Sequence, residues 1–93
     1  MISMGYKVFV SRTFQKIYSE LPRYTRDRIK EHLHELANDP ITSRSHCDIK
    51  VLHDTDPKKY RLRVGEYRII YVIEDRQIKI LDIIKREVGY GRL

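Results

Sequence analysis

Arg61, Arg63 and Arg68 flank the dipeptide Gly65-Glu66. Guanidinium groups are permanently charged forks that match phosphate oxygens two at a time, so arginines gathered on one surface make an anion site. Whether these three gather depends on register. If Gly65-Glu66 is a complete two-residue loop, Val64 pairs with Tyr67, Arg63 with Arg68, Leu62 with Ile69, Arg61 with Ile70 and Tyr60 with Tyr71. Alternation then puts Tyr60, Leu62, Val64, Tyr67, Ile69 and Tyr71 on one side of the hairpin. Arg61, Arg63 and Arg68 fall on the other. Two arginines directly across from one another cost up to about 1 kcal/mol if nothing lies between them. Either a carboxylate such as Glu66, Glu74 or Asp82 neutralises the cluster, or an external anion does. Ile70 and Val72 share the arginine side, where they can pack against bases or sugars or belong to a core beneath a loop.

Other reactive side chains are scattered. His32 and His34 are two apart on a helical stretch and point different ways, while His46, Cys47 and His53 occupy loop segments. No set has the spacing of metal ligands, so no metal and no cofactor is expected. A single cysteine excludes an internal disulfide and a CxxC motif.

The elements that position the arginines are legible from periodicity. Tyr6 to Val10, after a Met-Ile-Ser-Met-Gly leader, alternates as a strand. Ser11 is placed to cap a helix whose Phe14, Ile17, Tyr18 and Leu21 form one stripe. Pro22 interrupts, and Tyr24 or Thr25 opens a second helix carrying Ile29, Leu33, Leu36 and Ala37 until Asn38-Asp39-Pro40 ends it. Ile49 to Leu52 reads as a short strand, followed by a turn-rich link. Tyr60 to Val64 and Tyr67 to Glu74 form the hairpin, with a type II′ turn at Gly65-Glu66. Asp75-Arg76, or a slightly longer loop, leads to a last strand from Ile78 to Ile84. The order is βααββββ: an N-terminal strand, an antiparallel helical hairpin, then a mostly antiparallel meander. Helices and strands are segregated, so the class is α+β.

The 93 residues make a single domain, 1–93, with a net charge of +6 and a pI near 9.6. The charge is uneven: nine basic and eight acidic residues lie in 1–57, against ten and five in 58–93, an excess of +1 against +5. A small basic chain with this asymmetry suits a polyanion. The longest apolar run, Ile69 to Ile73, is far below the roughly 20 residues of a membrane span. With no secretory signal either, a soluble, cytoplasmic protein without a membrane partner is expected.

Tyr-Arg-Leu-Arg-Val-Gly-Glu-Tyr-Arg-Ile-Ile-Tyr at 60–71, with Ile-Ile-Lys-Arg-Glu at 83–87, resembles the RelE/ParE superfamily of type II toxins. The resemblance covers nearly the whole chain and implies a RelE-like fold. It implies a toxin held in a heteromeric complex by a cognate, RelB-like and acidic antitoxin. The RelE branch cuts mRNA at the ribosomal A site, a metal-independent endoribonuclease activity that inhibits translation. The ParE branch shares the fold and inhibits DNA gyrase, and a plain basic RNA-binding module is a third reading.

Carried over residue by residue, the resemblance places RNA or phosphate binding on Arg61 and Arg63. It places catalysis on Arg68, on Arg86 with Lys85 beside it, and on Tyr90. Two departures stand out. The hairpin strand carries arginines where the family often has lysines, and Tyr90 lies closer to Arg86 than the family's C-terminal tyrosine does to its arginine. The implied reaction is attack of a ribose 2′-hydroxyl on the adjacent phosphate, which makes RNA the substrate.

Overall fold

A computed structural model describes residues 5–85. Seven elements follow in order: β1 Lys7–Val10, α1 Arg12–Ser19, α2 Arg23–Leu36, β2 Asp48–Leu52, β3 Lys59–Val64, β4 Tyr67–Glu74 and β5 Gln77–Lys85. The strands form one sheet in the order β1-β5-β4-β3-β2. All neighbours are antiparallel except β1, which lies parallel to β5. The expected α+β class and element order are what the chain adopts.

Local chemistry explains the boundaries. Ser11 caps α1, its hydroxyl oxygen accepting from the Phe14 N–H at 3.0 Å. Pro22 itself is the residue before α2, which therefore starts at Arg23, one residue ahead of the expected start. The Pro22 carbonyl accepts from Arg26 N at 3.0 Å, and proline's fixed φ suits a helix entrance. The helices are joined where Tyr18 Oη donates to the Arg26 carbonyl at 3.0 Å. After α2, Asp39 Oδ1 accepts from Ile41 N and Thr42 N at 2.9 and 3.1 Å and turns the chain. Those two backbone bonds hold the Asp39 carboxyl below its ordinary range. Arg44 fastens the same corner, donating from Nη1 to the Asp39 carbonyl and from Nη2 to the Glu35 carbonyl, both at 2.9 Å.

The core lies between the helices and one face of the sheet. Phe14, Ile29 and Leu36 meet Tyr60, Leu62, Val64, Ile69, Tyr71, Ile78, Ile80 and Ile83 there, with Cys47 and Ile49. Tyr71 is fully buried, stacks on Tyr60 at 5.3 Å, and donates from its hydroxyl to the Pro40 carbonyl at 2.7 Å. Burial pushes its phenol far above the ordinary value. Buried Cys47 is likewise raised, chiefly by desolvation.

The hairpin has the register expected from its loop, from Val64 opposite Tyr67 to Tyr60 opposite Tyr71. Gly65 has φ +60 and Glu66 does not share the positive angle, the pattern of a type II′ turn. Asp75 and Arg76 both have positive φ, 51 and 44, so the next hairpin turns through those two residues alone. One irregularity interrupts the β4–β5 ladder: Ile70 pairs with Asp82 but Tyr71 with Ile80, leaving Leu81 as a bulge.

Candidate nucleic-acid interface

Strand alternation places Arg61, Arg63 and Arg68 on the sheet face turned away from the helices, with Arg63 directly opposite Arg68. By the same registers Lys7, Lys50, Lys59 and Lys79 share this outer face, against the carboxylates of Asp48, Glu74 and Asp82. The face is therefore basic.

The arginines are not equally open. Arg63 is exposed, whereas Arg61 and Arg68 retain 7% and 5% of their accessible surface and Ile70 between them 4%. The expectation of three guanidinium groups on an open surface is corrected on this point. Long aliphatic stems cover apolar sheet surface while their heads seek polar partners. Arg61 Nη1 lies 3.6 Å from Asp48 Oδ1. Arg68 Nη1 turns back towards the hairpin, 3.4 Å from both the Gly65 and the Tyr67 carbonyl oxygens. That turn leads the Arg68 head towards carbonyl dipoles, which lessens the cross-strand repulsion that the pairing with Arg63 implies.

Among the described residues the carboxylate paired with an arginine of the cluster is Asp48, and not Glu66, Glu74 or Asp82. Glu74 pairs with Lys79 at 2.5 Å, which holds its carboxyl low, and Asp82 Oδ1 accepts from Ile83 N at 2.7 Å. Sequence reasoning missed Asp48 because it began β2 one residue too late. Extending β2 to Asp48 puts that residue opposite Arg63 and diagonal to Arg61.

Lys85 ends β5 opposite Tyr67, on the face shared with the core and not on the arginine face. Register thus separates it from Arg61, Arg63 and Arg68. Arg86 and Tyr90 lie outside the described residues. Among the described residues no three of His, Cys, Asp and Glu come together as a metal site. His32 is engaged through Nδ1 with the Arg28 carbonyl at 2.8 Å. No helix among the described residues is long and apolar enough to cross a membrane.

What remains is a basic outer face with one exposed arginine and two recessed ones. A recessed guanidinium already aligned by the protein can hold an anion with little reorganisation.

Comparison with known proteins places the fold. The family described as "ParE toxin of type II toxin-antitoxin system, parDE" matches residues 8–90. A chain of the archaeal RelE-RelB complex from Pyrococcus horikoshii OT3 is 31% identical, with a TM-score of 0.78 over 92% of this chain and 100% of that one. A chain of the RelB-RelE antitoxin-toxin complex from Methanococcus jannaschii is 27% identical, with a TM-score of 0.72 over 90% and 96%. The RelBE2 complex from Mycobacterium tuberculosis shares the fold, with a TM-score of 0.74 and 23% identity over 89% and 100%. No curated protein sequence matches. With the family matched over most of its length, the chain belongs to the RelE/ParE superfamily of type II toxin–antitoxin toxins.

Proposed function

We propose that the protein is a ribosome-dependent mRNA endoribonuclease that inhibits translation and is silenced by a cognate acidic, RelB-like antitoxin. The observation that carries this reading is the clustering of Arg61, Arg63 and Arg68 on the outer face of the β3–β4 hairpin, away from the core. Likeness to chains from RelE-RelB complexes supports it.

In the proposed reaction the ribose 2′-oxygen gives up its proton and attacks the adjacent phosphorus. The bond from phosphorus to the 5′-oxygen breaks, leaving a 2′,3′-cyclic phosphate, and the departing oxygen takes up a proton. No metal is required. Arg68 and Arg86 hold the phosphate and stabilise its growing charge, while Arg61 and Arg63 bind flanking phosphates. Proton transfer falls to Tyr90, the position that matches the family's C-terminal tyrosine. Lys85, on the other face, is the weaker candidate for that role. A small basic face binds phosphate but does little to align a long message, which suits a protein that relies on the ribosome in the cytoplasm.

The test is translation of a defined message by purified components with mapping of the RNA ends. New 5′ ends at the A site are expected, and message left intact at stoichiometric protein overturns the reading. The match to the ParE family favours a second reading, inhibition of DNA gyrase by binding. Loss of supercoiling with the message untouched would select it.

A further inference from the structure

The outer face of the sheet runs from the arginine hairpin to its far edge at β1, and there its character changes. Val8 and Val10 align with Ile78 and Ile80 on the core side, so Lys7 and Phe9 turn outwards beside Gln77 and Lys79. Phe9 is 49% exposed, an unusual place for an aromatic ring with a core available on the opposite face. The bulge in β5 adds a second apolar group. Ile80 and Ile83 both point into the core, so the two residues between them, Leu81 and Asp82, are both displaced to the outer side. Phe9, Leu81, Gln77, Lys79 and Ser11, together with Val10 and Ile80, line a cavity of about 370 Å³.

We infer that this cavity at the β1–β5 junction is a subsite for one unstacked base of single-stranded RNA, with Phe9 as the stacking ring. The inference deepens the ribonuclease reading and rests on it for the choice of RNA. Three properties select this occupant. The cavity is open and has aromatic and aliphatic walls, which suit the flat face of a base. Lysines stand at its rim: Lys7 is exposed and Lys79 is paired with an exposed Glu74 that a phosphate can displace, because surface ion pairs contribute little. The rest of the face is cationic and continuous with it, so a polyanion fits where a neutral peptide has no such track, and the aromatic and aliphatic walls favour a flat base over a carboxylate side chain. Phe9 lies two strands from β4 and four residues along it from Arg68, roughly 16 Å away. That distance is covered by about five nucleotides at helical rise, and by fewer when the strand is extended.

The probe is a hexaribonucleotide carrying 2-aminopurine at each position in turn, titrated into the full chain. Quenching at one position is expected, and Phe9→Ala should remove it while weakening binding by about fivefold to a hundredfold, the range for one stacked base. Phe9→Trp should retain the affinity, and its indole emission, otherwise absent from a chain without tryptophan, should change on binding. Arg68→Ala should weaken binding yet leave the quenching at saturation. Unchanged affinity and quenching in Phe9→Ala, or a wild-type chain that does not bind the oligonucleotide, overturns the subsite. So does indole emission from the Phe9→Trp chain that responds to a protein partner but not to RNA. The message-cleavage assay separates the two readings: a wild-type chain and Phe9→Ala that cut equally well remove the subsite alone, whereas a chain that does not cut removes the ribonuclease reading, whatever the titration gives.

Discussion

Ser11 binds Leu81 across the molecule: its hydroxyl donates to the Leu81 carbonyl at 2.6 Å while its oxygen accepts from Phe14 N. The first bond ties the start of α1 to the bulged residue of β5, and the second caps the helix. Ser11→Ala removes both at once and leaves a part-buried carbonyl without this donor. Destabilisation of about 2 kcal/mol is expected from denaturant unfolding, the upper end for a cap. Ser11→Asp keeps the cap but sets a carboxylate against the Leu81 carbonyl, so it should recover only part of the loss.

On the ribonuclease reading, Arg68 holds the phosphate in the transition state. Arg68→Ala should lower single-turnover cleavage of ribosome-bound message by about 10²- to 10³-fold, the usual effect of removing one such donor. Arg63→Ala, at the exposed position, should instead weaken RNA binding and reduce its salt dependence by about one counterion. Equal effects of the two substitutions on the cleavage step would show that neither has a role special to chemistry.

Burial of Tyr71 makes a statement about alkali. Its phenol is raised far above the ordinary 10.0 by desolvation, so the folded chain keeps a proton that the unfolded chain releases. The contribution is fully present below the ordinary value, and it is lost as the pH rises from there through the raised one. An ultraviolet titration should leave the Tyr71 phenol un-ionised until the chain unfolds. Tyr71→Phe should abolish that residual step and cost about 1 to 2 kcal/mol, because the Pro40 carbonyl loses its donor.

Asp39 works in the opposite direction. Its carboxyl is lowered from the ordinary 3.8 by the N–H groups of Ile41 and Thr42, so its support is complete above that value and fades as the pH falls through the lowered one. Asp39→Ala should destabilise the protein by about 1 kcal/mol near neutrality. The gap from the wild type should narrow in acid, as followed by thermal unfolding between pH 6 and pH 2.

The hairpin is readable from sequence because a two-residue loop leaves one register, and that register decides every face. The bulge is less visible. Ile78 and Ile80 are one strand step apart but Ile83 is three residues beyond, a break in alternation that only makes sense once both ends are known to face the core. Parallel pairing of β1 with β5 is a long-range choice that no local pattern announces. For the site, parity alone puts Arg61, Arg63 and Arg68 on a shared face. How deeply two of them sink depends on cross-strand neighbours, and so does the role of Asp48. Phe9 carries a signal of its own, a large aromatic at an outward parity, but it becomes legible only once β1 is known to be an edge strand.

The sheet order carries a kinetic consequence. Lys7 meets Gln77, so β1 waits for β5 before it has a neighbour in the sheet. Helical hairpin and β-meander are assembled from contacts close in sequence and can form early, whereas this ladder closes the longest loop between paired strands among the described residues. During synthesis Val8 and Val10 therefore remain without their sheet partners until β5 has emerged. The nascent chain is most prone to mispairing in that interval, and the basic face that spans β1 to β3 is assembled only after β5 has been made.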